Sequence, residues 1–242
     1  VGAPSSASGT TYTDTNATGS IYSYSASVTS NILNTDIQNS LNDGTNVKIS
    51  TGLSGSLGGD VGNIYVGANI AKTTGGDATL TLEANNAITF GAYKITGTGT
   101  GKLNVNLIAK GGTASTSSAG VYVAGGGGVD TNGKVVVDAT TKYTGGWDFT
   151  KAALAMSAGS IIRGSDVDIK LNVDFNNSLT AYKVFGAFLQ NDVRLEATAG
   201  NLSIDSKIST GSKSSSSNAI LVGSGFGNAS ILKATGGNVS LT

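Results

Sequence analysis

Apolar and polar residues alternate in short runs along most of this chain, and glycine or asparagine interrupts the runs. The clearest stretch covers residues 77–110, where the runs 79–84, 88–90 and 103–109 place apolar residues at alternate positions. A period of two turns one set of side chains towards a core and the other towards solvent. Gly and Asn tolerate the positive φ angle that a sharp corner needs. The pattern therefore predicts an all-β solenoid, in which short strands separated by corners wind into coils.

Weak internal repetition supports this interpretation. A unit of the form Gly-Asn-apolar-x-apolar recurs at residues 62–66, 200–204 and 237–241. Degenerate repetition with a period of roughly 20–25 residues is typical of solenoids, whose coils are stable only when they stack on one another. An end coil presents an unpaired sheet edge that needs a cap or a partner. The sequence predicts no such cap at the C-terminus.

One short helix is predicted near residues 36–43. Thr35 and Gln38 have the spacing of a capping box, and Gly44 is suited to close the C-terminal end. The segment 143–163 is less regular, and its residues 151–156 are compatible with a further helical turn.

Several large aromatic residues fall in or just after this irregular segment, namely Trp147, Phe149, Phe175, Tyr182, Phe185 and Phe188. Two interpretations remain open: they fill a widened core or cover a sheet face, or they form an exposed contact site. Under the second interpretation the candidate contact residues are Trp147, Phe149, Tyr182 and Phe185. The loop insertions around 113–120, 143–163 and 175–190 are the predicted contact surfaces.

Three consecutive stretches, at residues 35–51, 62–73 and 77–88, resemble the repeated module of filamentous-haemagglutinin-like adhesins, the large exoproteins of bacterial two-partner secretion. The most specific part is Ile-Gln-Asn-x-Leu-Asn-x-Gly-Thr-Asn-Val at 37–47. The resemblance covers about residues 31–242 and implies that they form a right-handed parallel β-helix with loop insertions.

The resemblance also implies a location and a role. It implies export through an outer-membrane secretion partner and an extracellular place on the bacterial surface or in the medium. The rod would attach to a host or cell-surface receptor or glycan. Residues 1–30, rich in Ser and Thr, are then an N-terminal arm or linker, or a segment that lies along the first coil. We expect the chain to be a piece of a longer protein or a processed subunit.

The composition excludes several kinds of binding and catalytic site. Fifteen basic residues balance fifteen acidic ones and are scattered, which disfavours nucleic-acid binding, and no run approaches the length of a membrane span. His and Cys are absent, which excludes Ser-His-Asp and Cys-His catalysis and any His or thiolate metal site. We therefore expect no enzymatic activity, no cofactor and no metal ion.

A polysaccharide-active enzyme is the least favoured alternative, because such enzymes work with paired carboxylates. Asp166, Asp168 and Asp174 fall close together near Lys170. We interpret this cluster as a solvated strand face rather than as catalytic residues or Ca²⁺ ligands. The second functional hypothesis is self-assembly, in which open ends stack head to tail into an extracellular filament.

Two further motifs carry weaker predictions. Residues 125–130 match the opening of a Ca²⁺-binding nonapeptide, but Asn132 occupies the position that needs an apolar residue, so we interpret the segment as a Gly-rich loop. Five glycosylation sequons make candidate modification sites of Asn16, Asn176, Asn201, Asn228 and Asn238.

Overall fold

The structure, a computed structural model, describes residues 10–15, 21–26, 30–51, 62–111, 119–143, 151–175, 184–210, 217–223 and 229–242. Its elements in chain order are β1 (Thr10–Thr15), β2 (Ile21–Ala26), α1 (Asn34–Asn42), β3 (Asn46–Thr51), β4 (Ile64–Val66), β5 (Ile70–Lys72), β6 (Ala78–Ala84), β7 (Ile88–Phe90), β8 (Lys94–Gly97), β9 (Leu103–Ala109), β10 (Ala119–Val123), β11 (Gly128–Thr131), β12 (Val135–Tyr143), β13 (Lys151–Met156), β14 (Ile161–Gly164), β15 (Val167–Phe175), β16 (Val184–Leu189), β17 (Arg194–Ala197), β18 (Leu202–Thr210), β19 (Ser217–Val222), β20 (Ile231–Ala234) and β21 (Val239–Leu241).

Every third strand from β3 onwards returns to the same sheet. Sheet A has the order β1-β2-β3-β6-β9-β12-β15-β18-β21, sheet B runs β4-β7-β10-β13-β16-β19, and sheet C runs β5-β8-β11-β14-β17-β20. All pairings are parallel except the one between β1 and β2. The described residues therefore form a parallel β-helix, as the sequence predicts.

The core is a stack of aliphatic rows that run along the axis of the solenoid. In sheet A the inward positions align as Val47, Leu80, Val105, Val135, Val167 and Leu202, all buried. Sheet C contributes the buried row Ile70, Ile95, Val129, Ile162 and Leu195. Because each row places similar side chains in register, every coil buries its apolar face against the next.

Most coils are longer than the predicted repeat. Along the axis, the Lys94 amide donates to Asn69 Oδ1, 25 residues earlier, whereas the Asn238 amide donates to Asn201 Oδ1, 37 residues earlier. The predicted period of roughly 20–25 residues thus fits only the shortest coils, in which paired residues are 24 or 25 positions apart. The corners differ in length from coil to coil, so the inward rows stay in register while the sequence spacing changes.

Helix α1 is confirmed, but its N-terminal capping box is wrong. The N-cap residue is Leu33, without a side-chain hydrogen bond. The C-terminus is a Schellman motif: the Thr45 amide bonds to the Ser40 carbonyl, the Gly44 amide bonds to the Leu41 carbonyl, and Gly44 has φ +77°.

The helix lies along the free edge of β5 and satisfies backbone groups there. Gln38 Oε1 accepts from the Ala71 amide at 2.9 Å, and Asn34 Nδ2 donates to the Asn69 carbonyl at 2.9 Å. Asn42 Oδ1 accepts from the amides of the two residues after β5. Three amide side chains spaced four residues apart thus take the place of a neighbouring strand and cap sheet C.

The N-terminal segment is not only a linker. Strand β2 adds to sheet A in parallel register with β3, and β1 pairs antiparallel with β2. The alternative in which this segment lies along the first coil is the one that the structure shows for residues 21–26.

Two irregular segments of the sequence are in fact strands of sheet B. Residues 151–156, interpreted as compatible with a helical turn, are β13, and 184–189 are β16. Strand β13 pairs in parallel with β10 on one side and with β16 on the other. In the pairing of β13 with β16, one residue of each strand is skipped, Ala153 and Gly186. The offset between paired residues is the same before and after the skipped pair, so neither strand has an extra residue. Consecutive residues are buried there, at 152–154 and 184–187, which removes the simple alternation on which the sequence prediction depends.

Candidate functional site

The outward face of sheet C carries a row of charges with alternating sign. Asp130, Arg163, Glu196 and Lys233 occupy aligned positions on successive strands. Arg163 forms a bidentate salt bridge with Asp130, in which Nε and one terminal nitrogen donate to the two carboxylate oxygens at 2.7 and 2.8 Å. Arg194 lies 3.1 Å from Glu196. Opposite charges on neighbouring coils stabilise the chosen register.

A second charged group joins three coils on the outward face of sheet A. Glu83 forms ion pairs with Lys48 of the preceding coil, at 2.6 Å, and with Lys110, which follows the next strand. Hydrogen bonds from Lys110 and then Lys48 lower the pKa of Glu83 below its ordinary value and outweigh the opposing effect of desolvation. Glu83 is therefore ionised and bridged at neutral pH.

The acidic cluster noted in the sequence is engaged in contacts between coils. Asp166 Oδ1 accepts from the Asn201 amide at 3.1 Å, and Asp168 Oδ1 accepts from the Ser203 hydroxyl at 3.0 Å. Asp174 and Lys170 lie on the same strand, in register with Lys142 and Asp138 of the preceding coil. No group of three or more acidic side chains converges as a metal site within the described part of the chain. The geometry is that of a strand face whose charges and hydroxyls connect neighbouring coils.

Residues 125–130 form a tight corner that leads into β11. Gly126 has φ +80° and Gly128 has φ +126°, backbone conformations that favour glycine. Asp130, the acidic residue of the supposed Ca²⁺ motif, is held by Arg163. A carboxylate paired with a guanidinium is already neutralised, which agrees with a Gly-rich corner.

Two of the five sequon asparagines lie in the described residues. Asn201 and Asn238 are both exposed, at the corners that precede β18 and β21. The Oδ1 atom of Asn201 accepts from the Asn238 amide at 2.9 Å. The other three, Asn16, Asn176 and Asn228, lie outside the described residues.

One of the four residues of the predicted aromatic contact site lies in the described part of the chain. Trp147, Phe149 and Tyr182 lie outside the described residues. Phe185 lies in β16 and is 1% exposed, with its ring centroid 5.2 Å from that of Phe188. The assignment of Phe185 to an exposed contact surface is therefore wrong, because the side chain is packed rather than presented to solvent.

Exposed aromatic side chains lie elsewhere, near the start of sheets B and C. Tyr65, the outward residue of β4, is 66% exposed, and Tyr93, just before β8, is 39% exposed. The other large apolar side chains found exposed in the described ranges are Leu33, beside α1, and four residues in the last strands, Val222, Ile231, Val239 and Leu241. Sequence analysis assigned Tyr65 to a strand but missed this pair, although an aromatic residue at a solvent-facing strand position is a usable signal.

A buried lysine is a second feature that the sequence did not reveal. Lys72 points inwards at the end of β5 and is 0% exposed. Its Nζ donates to the Thr74 carbonyl at 2.6 Å, and the Gly75 carbonyl lies at 3.5 Å. Backbone carbonyls of the corner after β5 thus satisfy the ammonium group, and the amides of the same corner bond to Asn42 of α1.

The fold and these contacts define a parallel β-helical repeat protein. No family model, curated protein or solved structure matches the chain. In the described residues, no helix is long and apolar enough to cross a membrane.

Proposed function

We propose that the chain is a structural and adhesive segment of a secreted bacterial surface protein, a rigid rod without an active site that mediates attachment. The observation that carries the proposal is the unbroken stack of coils with aliphatic rows inside and polar or charged rows outside. Such a stack is stiff along its axis because each strand bonds to both neighbours, and it presents a long polar side. The resemblance of residues 35–51, 62–73 and 77–88 to adhesin repeats supports the same role.

In this proposal the parent protein reaches the outside through an outer-membrane secretion partner, and the receptor is a molecule on another cell. Cys-free composition suits export of an unfolded chain. The test has two measurements. Antibodies against the chain should label intact source cells, and the purified folded chain should bind cultured host cells more strongly than heat-unfolded chain does. Absence of both signals would refute the proposal.

A second function, assembly into filaments, is favoured by one observation. The last described strands leave Val222, Ile231, Val239 and Leu241 between 36% and 50% exposed along unpaired edges. Against simple head-to-tail stacking, α1 covers the opposite edge of sheet C, and antiparallel β1 ends sheet A. Electron microscopy over a concentration series separates the functions: filaments that lengthen with concentration support assembly, and single rods at every concentration exclude it.

A further inference from the structure

The pair Tyr65 and Tyr93 is held in place by the backbone on which it stands. Tyr65 belongs to β4, which pairs with β7 in parallel register. The Tyr93 carbonyl accepts from the Gly128 amide at 3.0 Å, and the next amide, of Lys94, bonds to Asn69 at 2.9 Å. Neither backbone has to be ordered before a ligand binds, which lowers the entropic cost of binding.

Glycine separates the two rings. A Cβ atom on Gly91 would lie 2.9 Å from the Tyr65 hydroxyl and 3.0 Å from Cδ2 of Tyr93. The Tyr65 hydroxyl oxygen and Cδ2 of Tyr93 are therefore no farther apart than the sum of those two distances. Gly67 is equally close to the Tyr65 ring, with a would-be Cβ 2.9 Å from Cε1. Tyr65 thus lies over two glycines, and one of them, Gly91, also lies against the Tyr93 ring.

Tyr65 and Tyr93 are exposed because their side chains face outwards, and β4, which carries Tyr65, is also the first strand of sheet B. The exposed aliphatic residues of the described chain flank α1 or lie in the last strands, where a neighbouring coil is lacking. Tyr65 instead alternates outwards between buried Ile64 and Val66. It is aligned with Thr89 on the next strand, which adds a hydroxyl beside the ring.

We propose that Tyr65 and Tyr93 form a binding platform for a neutral sugar residue of a cell-surface glycan. An aromatic ring offers an apolar face to the C–H face of a pyranose, while the phenol groups and the Thr89 hydroxyl match its hydroxyl groups. Two aromatic rings and a hydroxyl group side by side on a sheet surface match one face of a pyranose, whereas a proline-rich peptide docks into an aromatic-lined groove. This inference rests on the proposed adhesive function and names the ligand class and the residues.

The experiment measures binding of the purified chain to immobilised oligosaccharides that end in galactose, glucose, mannose or N-acetylglucosamine. We expect Tyr65→Ala and Tyr93→Ala each to weaken the best interaction at least about fivefold, the loss of one aromatic contact. Gly91→Ala should weaken it as well, because the new methyl group displaces both rings. Tyr65→Phe should bind within about threefold of wild type, since stacking remains. Val222→Ala, which trims an exposed side chain at the far edge of the same sheet, is the matched control and should have no effect.

A second measurement does not depend on the folding of any variant. In wild-type protein with isotope-labelled tyrosine, the oligosaccharide should shift the ring signals of Tyr65 and Tyr93 more than those of Tyr122, which lies two strands away from Tyr65. If Tyr65→Ala lowers only the unfolding stability and binding persists, the tyrosine merely covers Gly67 and Gly91, and the inference is wrong. Binding of a proline-rich peptide that is lost with Tyr65→Ala, without sugar binding, would also overturn it.

The two proposals fail in different ways. If the wild-type chain attaches to cells but binds no oligosaccharide, or if the tyrosine variants attach equally well, the platform is wrong and the adhesive function stands. If the chain attaches to no host cell and antibodies against it label no source cell, the adhesive function itself is refuted.

Discussion

Single side chains hold neighbouring coils together through contacts that span 23 to 40 residues of sequence. Asparagine and aspartate at the corners accept amide protons from the next coil, as Asn46 does from Thr79 and Asp77 does from Lys102. The Gly-Asn units in the sequence have this physical basis: glycine makes the corner, and the asparagine oxygen ties it to the following one.

Glu83 gives a prediction about pH at this scale. Its folded pKa is lowered by the two lysines, so its contribution to stability is full above the unfolded value near 4.5 and is lost as the pH falls through the lower folded value. Glu83→Gln should lower the free energy of unfolding at pH 7 by about 1 kcal/mol, a modest loss because both lysines are about half exposed. Urea denaturation at pH 7 and at pH 3 measures the difference, which should be smaller at the lower pH. An equal loss at both pH values would show that the ion pairs do not cause it.

Gly186 gives a second prediction for one residue. A Cβ atom there would lie 1.7 Å from Ser206 Oγ and 2.5 Å from the Ala219 carbonyl oxygen. Gly186→Ala should lower the free energy of unfolding by about 1–3 kcal/mol, because the interior must be overpacked. Gly76→Ala is the matched control, since no atom lies within 4 Å of its would-be Cβ, and it should be neutral or slightly stabilising. Thermal denaturation of both variants decides the matter, and equal melting temperatures would contradict the clash.

At the scale of elements, α1 replaces a strand at the edge of sheet C. Asn42→Ala removes the oxygen that accepts from the Thr73 and Thr74 amides at 2.8 and 3.0 Å. We expect a loss of about 1–2 kcal/mol and faster hydrogen exchange at those two amides. Asn42→Asp keeps the acceptor oxygen and should retain most of the protection. Unchanged exchange in Asn42→Ala would show that the helix does not cap this edge.

The strands that could be predicted from sequence are those with clean alternation. In β6 and β9, buried and partly exposed residues alternate along the whole strand, and both were recognised from their apolar pattern. Strands β13 and β16 were missed because consecutive residues are buried in both, so that β16 has one partly exposed residue in six. Tyr65 and Tyr93 lie 28 residues apart in the chain and meet only through the coil register, which no local pattern specifies.

At the scale of the molecule, stability should depend on how many neighbours a coil has. Leu107 lies in a middle strand and is 0% exposed, whereas Leu241, in the same inward row of sheet A, lies in the last strand and is 50% exposed. Leu107→Ala should cost about 2–5 kcal/mol, as for a buried leucine, and Leu241→Ala less than about 1 kcal/mol, because half of its surface is never removed from water.

Guanidinium denaturation of the two variants measures both losses of unfolding free energy, and repeating it at low and high protein concentration shows whether they depend on concentration. If Leu241→Ala lowers the free energy of unfolding strongly only at high concentration, a second copy covers the last coil. Filament assembly is then favoured over the isolated rod. If Leu241→Ala costs as much as Leu107→Ala at every concentration, the last coil is covered within the monomer and the nearest-neighbour account fails. A small cost that does not depend on concentration would mean that the apolar edge of the last described coil packs against no other copy. The molecule is then an isolated rod, which is the arrangement that the adhesive function requires.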